Sequence, residues 1–303
     1  MPQLDRRQFI RQAFLSAVAL GSVPLFDLLT FPAFAAPLPP VVKRTGPNIP
    51  ELLDRTLAPL GGMQNFIRPG DKVVVKPNIG WDRTVEQGAN THPELVRAVI
   101  EHCLAAGAAE VRVFDNTCND PRRCYVHSGI QEAVETLKSS KARIEHMDRR
   151  AYREVAISKG QDLSSWSFYA PAIEADKFIN LPVAKTHSIA TLTLGMKNIM
   201  GVIGGNRGRL HRNIGDAVTD INLVVHSDLT IIDATRIMIA NGPQGGRLSD
   251  VEQRDTLIAS PDIVAADSVA ATLFGYRPED VPTTVAAARR GLGVMDLKRM
   301  QLL

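Results

Sequence analysis

The sequence predicts an α/β protein with a mostly parallel sheet and helices on both faces of that sheet. A valine-rich run at 72–76, a helical pattern at 94–106 and a second apolar run at 110–114 follow one another. A valine-rich run suits a strand that is buried on both faces. Strand, helix and strand in this order form a βαβ unit, which implies parallel pairing.

The remaining elements continue this alternation. The motif Thr91-His92-Pro93-Glu94 combines a capping residue, a proline in the first turn and a capping-box glutamate, so it predicts the start of the helix that follows. Apolar periodicity predicts further helices at 51–60, 130–137, 192–202, 221–225 and 263–273, and further strands at 142–146, 177–181, 229–233 and 256–259.

The beginning of the chain has the three parts of a secretory signal. Arg6 and Arg7 precede an apolar run at 13–20, and small residues form an A-x-A cleavage pattern at 33–35. Paired arginines favour the twin-arginine route. We therefore expect residues 1–35 to be a twin-arginine signal peptide; the alternative is an amphipathic helix that stays attached.

This signal carries expectations about location and partners. The protein is expected to be periplasmic or otherwise exported, with the twin-arginine export machinery as a partner. Membrane contact is expected only through an uncleaved signal. Prolines recur in residues 36–50, which predicts a stiff extended linker, and residues 51–303 are then a single α/β domain.

Composition excludes two classes of protein. Lys and Arg total 35 against 32 Asp and Glu, a net charge of +3, so no nucleic-acid partner is expected. After the signal, no stretch approaches the roughly 20 apolar residues that span a bilayer. Apolar residues make up 45% of the chain, which is enough for a substantial core.

Cysteine spacing leaves several states open. Cys103 lies in a predicted helix and is expected to be a small buried hydrophobe. Cys118 and Cys124 lie in one loop, where an oxidising compartment favours a disulfide or free thiols. Two thiolate ligands are the alternative, although the spacing matches no C-x-x-C metal site.

Polar residues follow several of the predicted strands. Ligands bind beyond the carboxyl ends of strands in open parallel sheets, so these residues are expected to converge on one crevice. They are Lys76 and Asn78 after the first strand, Asp115 and Asn116 after the second, the run Lys185-Thr186-His187, and Asp233.

Three of these residues are candidates for catalysis. Lys185 supplies a positive charge for an anion, and His187 can move a proton near neutral pH or bind a metal. Asp115 is expected to orient His187, with Asp267 as the alternative. The candidate substrate-binding residues are Lys76, Asn78, His92, Lys197, Asn198 and Asp267.

A glycine-rich and basic stretch at 201–212 follows Lys197 and Asn198. Basic residues among glycines suit phosphate or carboxylate binding. A solvated loop is the alternative, because the stretch contains neither a Walker motif nor a dinucleotide fingerprint.

Six short motifs in order resemble the domain of unknown function 362 family over roughly 73–293. The motifs are Lys76-Pro77-Asn78, Thr91-His92-Pro93-Glu94, Asn180-Leu181-Pro182 with Lys185-Thr186-His187, Leu194-Gly195-Met196-Lys197-Asn198 with Met200-Gly201, Asn241-Gly242-Pro243, and Ala265-Ala266-Asp267. The resemblance implies that the site lies at Lys76, Asn78, His92, Lys185, His187, Lys197, Asn198 and Asp267. Some relatives carry a ferredoxin-type cysteine run for iron–sulfur clusters, and this chain lacks that run.

Three functions follow as hypotheses. The first is an enzyme that acts on a small anionic substrate, with or without a metal ion. The second is a redox or iron–sulfur-associated protein that uses Cys118 and Cys124. The third is a non-catalytic periplasmic binding or maturation protein. The expected ligand is a small anion, and the open cofactors are a metal ion and an iron–sulfur cluster.

Overall fold

The computed structural model describes residues 37–303, so the predicted signal over 1–35 lies outside the described residues. The strands are β1 Pro40–Thr45, β2 Lys72–Pro77, β3 Glu110–Val113, β4 Ala142–Ile144, β5 Tyr152–Ala156, β6 Ser165–Tyr169, β7 Lys177–Leu181, β8 Val183–His187, β9 Thr191–Thr193, β10 Leu229–Met238, β11 Val251–Ser260 and β12 Gln301–Leu302. The helices are α1 Ile49–Leu57, α2 Pro93–Ala105, α3 Pro121–His127, α4 Ile130–Glu135, α5 Ala170–Ile173, α6 Gly195–Asn198, α7 Ile214–Asn222, α8 Ile263–Ala271 and α9 Pro282–Arg289.

The main sheet confirms the predicted fold class. Its strand order is β12-β1-β11-β10-β7-β2-β3-β4, and β8 pairs with β10 and with β9. The strands from β10 to β4 pair in parallel, whereas β11 is antiparallel to both β10 and β1. Strands β5 and β6 form a separate antiparallel pair.

Successive valines of β2 serve two different cores. Val73 and Val75 pack into the cluster that contains residues of α1, α2 and α4. Val74 packs into the cluster on the opposite face, with residues of α6, α7 and α9. Side chains alternate between the faces of a strand, so a run of valines is what a sheet covered on both sides requires.

The proline-rich segment 36–50 is not a linker, which corrects the expectation from composition. Val41 and Val42 are fully buried, and β1 pairs with β11 and β12. The segment contains this apolar pair, and Pro40 lies at the first residue of the strand, where proline is tolerated.

The prediction of a helix at 192–202 was also wrong. The chain there forms β9, the single-turn helix α6 and a 3-10 turn at Ile199–Val202. A Cβ on Gly195 would lie 2.7 Å from Asp267 Oδ1, so a tertiary contact determines the conformation here. The helix predicted at 221–225 is displaced, since α7 begins at Ile214. Within residues 37–303, no helix is both long and apolar enough to cross a membrane.

Candidate functional site

A cavity of about 520 Å³ lies at the carboxyl ends of β2, β3 and β8. Parallel strands end at a common edge, which is why residues distant in sequence meet there. The structure brings these sequence-predicted residues into its lining: Lys76, Asn78, Asp115, Lys185, His187, Lys197 and Asn198.

Lys76 and Asp115 form a buried ion pair in this lining. Lys76 Nζ lies 2.8 Å from Asp115 Oδ1 and donates a hydrogen bond to Asn198 Oδ1 at 2.8 Å. Burial lowers the pKa of Lys76, and the charge of Asp115 opposes that effect. A Cβ on Gly201 would collide with both members of the pair, so the backbone can approach them only at a glycine.

Lys185 is held by neutral acceptors. Its Nζ donates to the carbonyl oxygen of Ala89 at 2.5 Å and to Asn78 Oδ1 at 3.2 Å. Burial lowers the pKa of Lys185 to about 7, and the charges of Lys197 and Lys76 act in the same direction. This amine therefore changes its charge near neutral pH, as a general acid or base must.

His187 is oriented by backbone rather than by a carboxylate, which differs from the expected role of Asp115 or Asp267. Its Nδ1 accepts hydrogen bonds from the backbone N–H groups of Ile189 and Ala190 at 3.1 and 3.2 Å. Burial lowers the pKa of His187 to about 3. The neutral ring thus carries its proton on Nε2, where it is a hydrogen-bond donor and has no lone pair for a metal or a proton.

Two groups in the lining have no protein partner. Within residues 37–303, Lys197 Nζ makes no hydrogen bond or ion pair. Burial lowers the pKa of Lys197 to about 8; Cys118 opposes this effect and the charge of Arg207 adds to it. Thr193 Oγ1 is buried without any hydrogen-bond partner in the same range. Thr193 is the register partner of Lys185 in the β8–β9 pair. A buried hydroxyl is normally hydrogen-bonded, so Thr193 Oγ1 is available to a ligand, and the unpaired amine of the half-buried Lys197 is available as well.

Arg207 completes the lining and is absent from the set of site residues predicted from strand ends. Its guanidinium donates to the carbonyl oxygens of Asn116 at 2.7 Å and Thr117 at 2.8 Å, and it lies 3.9 Å from Cys118 Sγ. The signal for it was the glycine-rich basic stretch, from which His211 also reaches the cavity. The His211 ring stacks on His187 with a centroid separation of 5.3 Å.

Three other predicted residues have structural contacts away from the cavity lining. His92 is the N-cap of α2, where its Nδ1 accepts from the Glu94 N–H at 3.3 Å. Asp233 accepts from the His92 N–H at 2.7 Å. The Asp267 carboxylate accepts from the N–H groups of Gly195 and Met196 at the start of α6.

Of the states that the sequence left open for the cysteines, the structure has free thiols. Cys118 is exposed, whereas Cys103 and Cys124 are buried, and all three are free thiols. Burial raises the pKa of Cys124 to about 11, which opposes a thiolate there. Within the described part of the chain, no three His, Cys, Asp or Glu residues are grouped so that they could hold a metal ion.

The charge of the lining is unbalanced. Among the described residues, the lining contains one carboxylate, Asp115, and four Lys or Arg side chains: Lys76, Lys185, Lys197 and Arg207. Asp115 is paired with Lys76. Near pH 6, an anion entering the cavity would thus meet three cations that no carboxylate neutralises.

A family model and a known protein are similar to this chain in sequence. The family model described as "Domain of unknown function (DUF362)" matches residues 73–272. A thylakoid-associated protein of Synechocystis is 30% identical over 244 residues, which are 78% of this chain and 73% of that protein.

Two solved structures are similar to this chain with lower sequence identity. A crystal structure from Thermotoga maritima aligns with a TM-score of 0.46 and 14% identity, over 77% of this chain and 60% of that one. The lactate racemase apoprotein from Thermoanaerobacterium thermosaccharolyticum aligns with a TM-score of 0.39 and 12% identity, over 69% and 54%. The chain spans less than two thirds of either structure.

Proposed function

The chain belongs to the DUF362 family, and for this member we propose an enzyme that binds a small anionic substrate in the cavity and transfers a proton through Lys185. The observation that carries this proposal is the excess of basic side chains over carboxylates in the lining of one cleft. Cations in a partly desolvated cleft attract anions far more strongly than cations on an open surface.

The side chains divide into two roles. Lys197 and Arg207 hold the anion, since Lys197 Nζ has no partner within residues 37–303 and Arg207 keeps its charge at all physiological pH values. Lys185 exchanges the proton, because a pKa of about 7 leaves both of its forms populated at neutral pH. His187 donates from Nε2 to the bound substrate and does not act as a base.

No metal step is part of this proposal. In the metal-assisted version His187 is a candidate ligand, and the backbone N–H groups on its Nδ1 leave Nε2 protonated. The redox alternative required Cys118 and Cys124 to act as a pair, and Cys124 is buried as a thiol.

Anion affinity tests the proposal. We expect Lys197→Met to weaken the binding of oxalate or phosphate about tenfold or more, because a hydrogen bond to a charged group is worth about 1.5–3 kcal/mol. Isothermal titration calorimetry at pH 6.5 measures the dissociation constants.

Lys298→Met is the matched control, since Lys298 is exposed and outside the cavity lining. It removes the same charge and should leave the affinity unchanged. Equal losses in the two variants would show that net charge alone attracts the anion, and the proposed site would be wrong.

We also propose that the protein is exported by the twin-arginine machinery to the periplasm or beyond. The support is the Arg6-Arg7 pair with its apolar run and cleavage pattern.

A further inference from the structure

The three lysines of the cavity differ in the hydrogen-bond and ion-pair partners of their amines. Lys76 Nζ is bound to Asp115 and Asn198, each at 2.8 Å. Lys185 Nζ is bound to Ala89 and Asn78. Within residues 37–303, only Lys197 presents an amine to the cavity with no hydrogen bond or ion pair.

The surroundings of Lys197 make the neutral form of its amine accessible near pH 8. It is carried by α6, whose first two N–H groups are held by the buried Asp267 carboxylate, so its backbone is fixed. Burial and the nearby Arg207 charge lower the pKa of Lys197 to about 8. A neutral amine has a free lone pair, which is the requirement for attack on an electrophile.

Side chains that can donate a hydrogen bond to a carbonyl oxygen line the same cavity. Thr193 Oγ1 is buried with no hydrogen-bond partner among the described residues, and it is the register partner of Lys185. The Nε2–H of His187 is a second donor in the lining. A simple anion site has no use for a neutral amine beside hydroxyl and imidazole donors, whereas a carbonyl site uses all three.

We propose that the substrate is a small anion that carries a carbonyl group, and that the Lys197 amine forms an imine with its carbonyl carbon. This inference deepens the proposed function and rests on it, since the anionic group of the substrate is bound by Arg207. Lys185 is the proton donor for the dehydration step, and Thr193 is a hydrogen-bond donor to the substrate oxygen.

The step balances without any further reactant. The Lys197 nitrogen lone pair forms a bond to the carbonyl carbon, the carbon–oxygen π pair moves to oxygen, and a proton passes from nitrogen to that oxygen. The ammonium of Lys185 then protonates the hydroxyl, which leaves as water while the nitrogen lone pair forms the C=N bond. The products are a protonated imine, water and neutral Lys185, and no atom is oxidised or reduced.

Borohydride trapping tests the inference. The full chain is incubated with pyruvate, or with glycolaldehyde phosphate, at pH 8 and reduced with sodium borohydride. Intact-protein mass spectrometry followed by peptide mapping locates the adduct. We expect one reduced adduct per chain, located on Lys197, from at least one of the two probes.

Lys197→Arg is the decisive variant, because it keeps the positive charge and cannot form an imine. It should lose at least nine-tenths of the adduct, and it should bind oxalate more tightly than Lys197→Met does, because it keeps the charge. Lys197→Met should lose the adduct and bind oxalate about tenfold or more weakly, and Lys298→Met should change neither. Circular dichroism establishes that each variant is folded.

Two results separate this inference from the proposal on which it rests. If oxalate binds in a Lys197-dependent manner but neither probe gives an adduct on Lys197, the imine is wrong and the anion site stands. If oxalate does not bind to the unmodified protein at all, the anion site fails as well. Adducts spread over exposed lysines in equal yield would also overturn the imine.

Discussion

At the level of single side chains, the protonation of two lysines determines how the site responds to pH. Burial lowers the pKa of Lys185 to about 7 and that of Lys197 to about 8. Both are cations below these values, so their attraction for an anion is complete near pH 6 and is lost as the pH rises through 7 to 9. Arg207 remains charged throughout and retains part of the affinity.

We therefore expect oxalate to bind at least tenfold more weakly at pH 9 than at pH 6, because its own charge is constant in this range and each charged hydrogen bond lost is worth about 1.5–3 kcal/mol. Binding at pH 7.5 should also take up protons, because the anion raises the pKa of both lysines. Calorimetry in two buffers of different ionisation enthalpy measures that uptake. An affinity that stays flat from pH 6 to 9 would contradict the assignment.

His187 contributes nothing to this profile. Its pKa of about 3 keeps the ring neutral above pH 5, although the type of residue alone suggested a titration near neutrality. The sequence contains no sign of the difference, since the acceptor role of Nδ1 arises from the turn formed by Ile189 and Ala190.

At the level of elements, a single-turn helix positions much of the site. Helix α6 carries Lys197 and Asn198 but is too short to be stable by itself. Its Gly195 and Met196 N–H groups donate to Asp267 at 2.7 and 2.9 Å. Asp267, predicted as a substrate ligand, thus acts on the site through the backbone of α6.

Replacing Asp267 by alanine should destabilise the fold and weaken anion binding together. Two buried N–H groups lose their acceptor, and each unsatisfied group costs about 1–3 kcal/mol, so we expect a decrease of about 2–6 kcal/mol in the free energy of unfolding. Urea denaturation measures the decrease.

The control for Asp267→Ala is Asp296→Ala, which removes an exposed carboxylate that accepts one backbone hydrogen bond from Lys298. Its cost should stay below about 1 kcal/mol. If Asp267→Ala kept full stability, the carboxylate would not be holding α6, and a ligand role for Asp267 would return.

At the level of the whole molecule, the proposed export signal and the folded domain belong to different parts of the chain. The Arg6-Arg7 pair precedes the described residues, and the twin-arginine route generally carries folded proteins. We expect Arg6→Lys with Arg7→Lys to leave the precursor in the cytoplasm of a bacterial host. Cell fractionation with immunoblotting measures the distribution.

Arg11→Lys is the matched control, since Arg11 lies in the same segment outside the pair, and it should leave export intact. An attached amphipathic helix would behave differently, because it would keep all of these variants on membranes in equal amounts. That outcome would remove both the proposed route and the proposed location.

Much of the fold could be read from local patterns. Local sequence patterns predict the valine-rich strand β2, the capped start of α2 and the apolar strand β7. The structure has all three elements. Predictions failed where distant contacts outweigh local propensity. The segment 36–50 joins the sheet by pairing with β11, more than 200 positions away, and Gly195 begins a new element because Asp267 binds its N–H.

The sequence by itself determined the class of fold, the family likeness, and the arrival of Lys76, Asp115 and Lys185 at one edge of a parallel sheet. Tertiary structure alone decided the chemical state of those side chains. It paired Lys76 with Asp115, left the amine of Lys197 without a partner among the described residues, and placed His92 and Asp267 outside the lining. The physical reason is that residue type fixes which charges and donors exist, whereas burial and neighbours within a few ångströms fix their pKa and their partners.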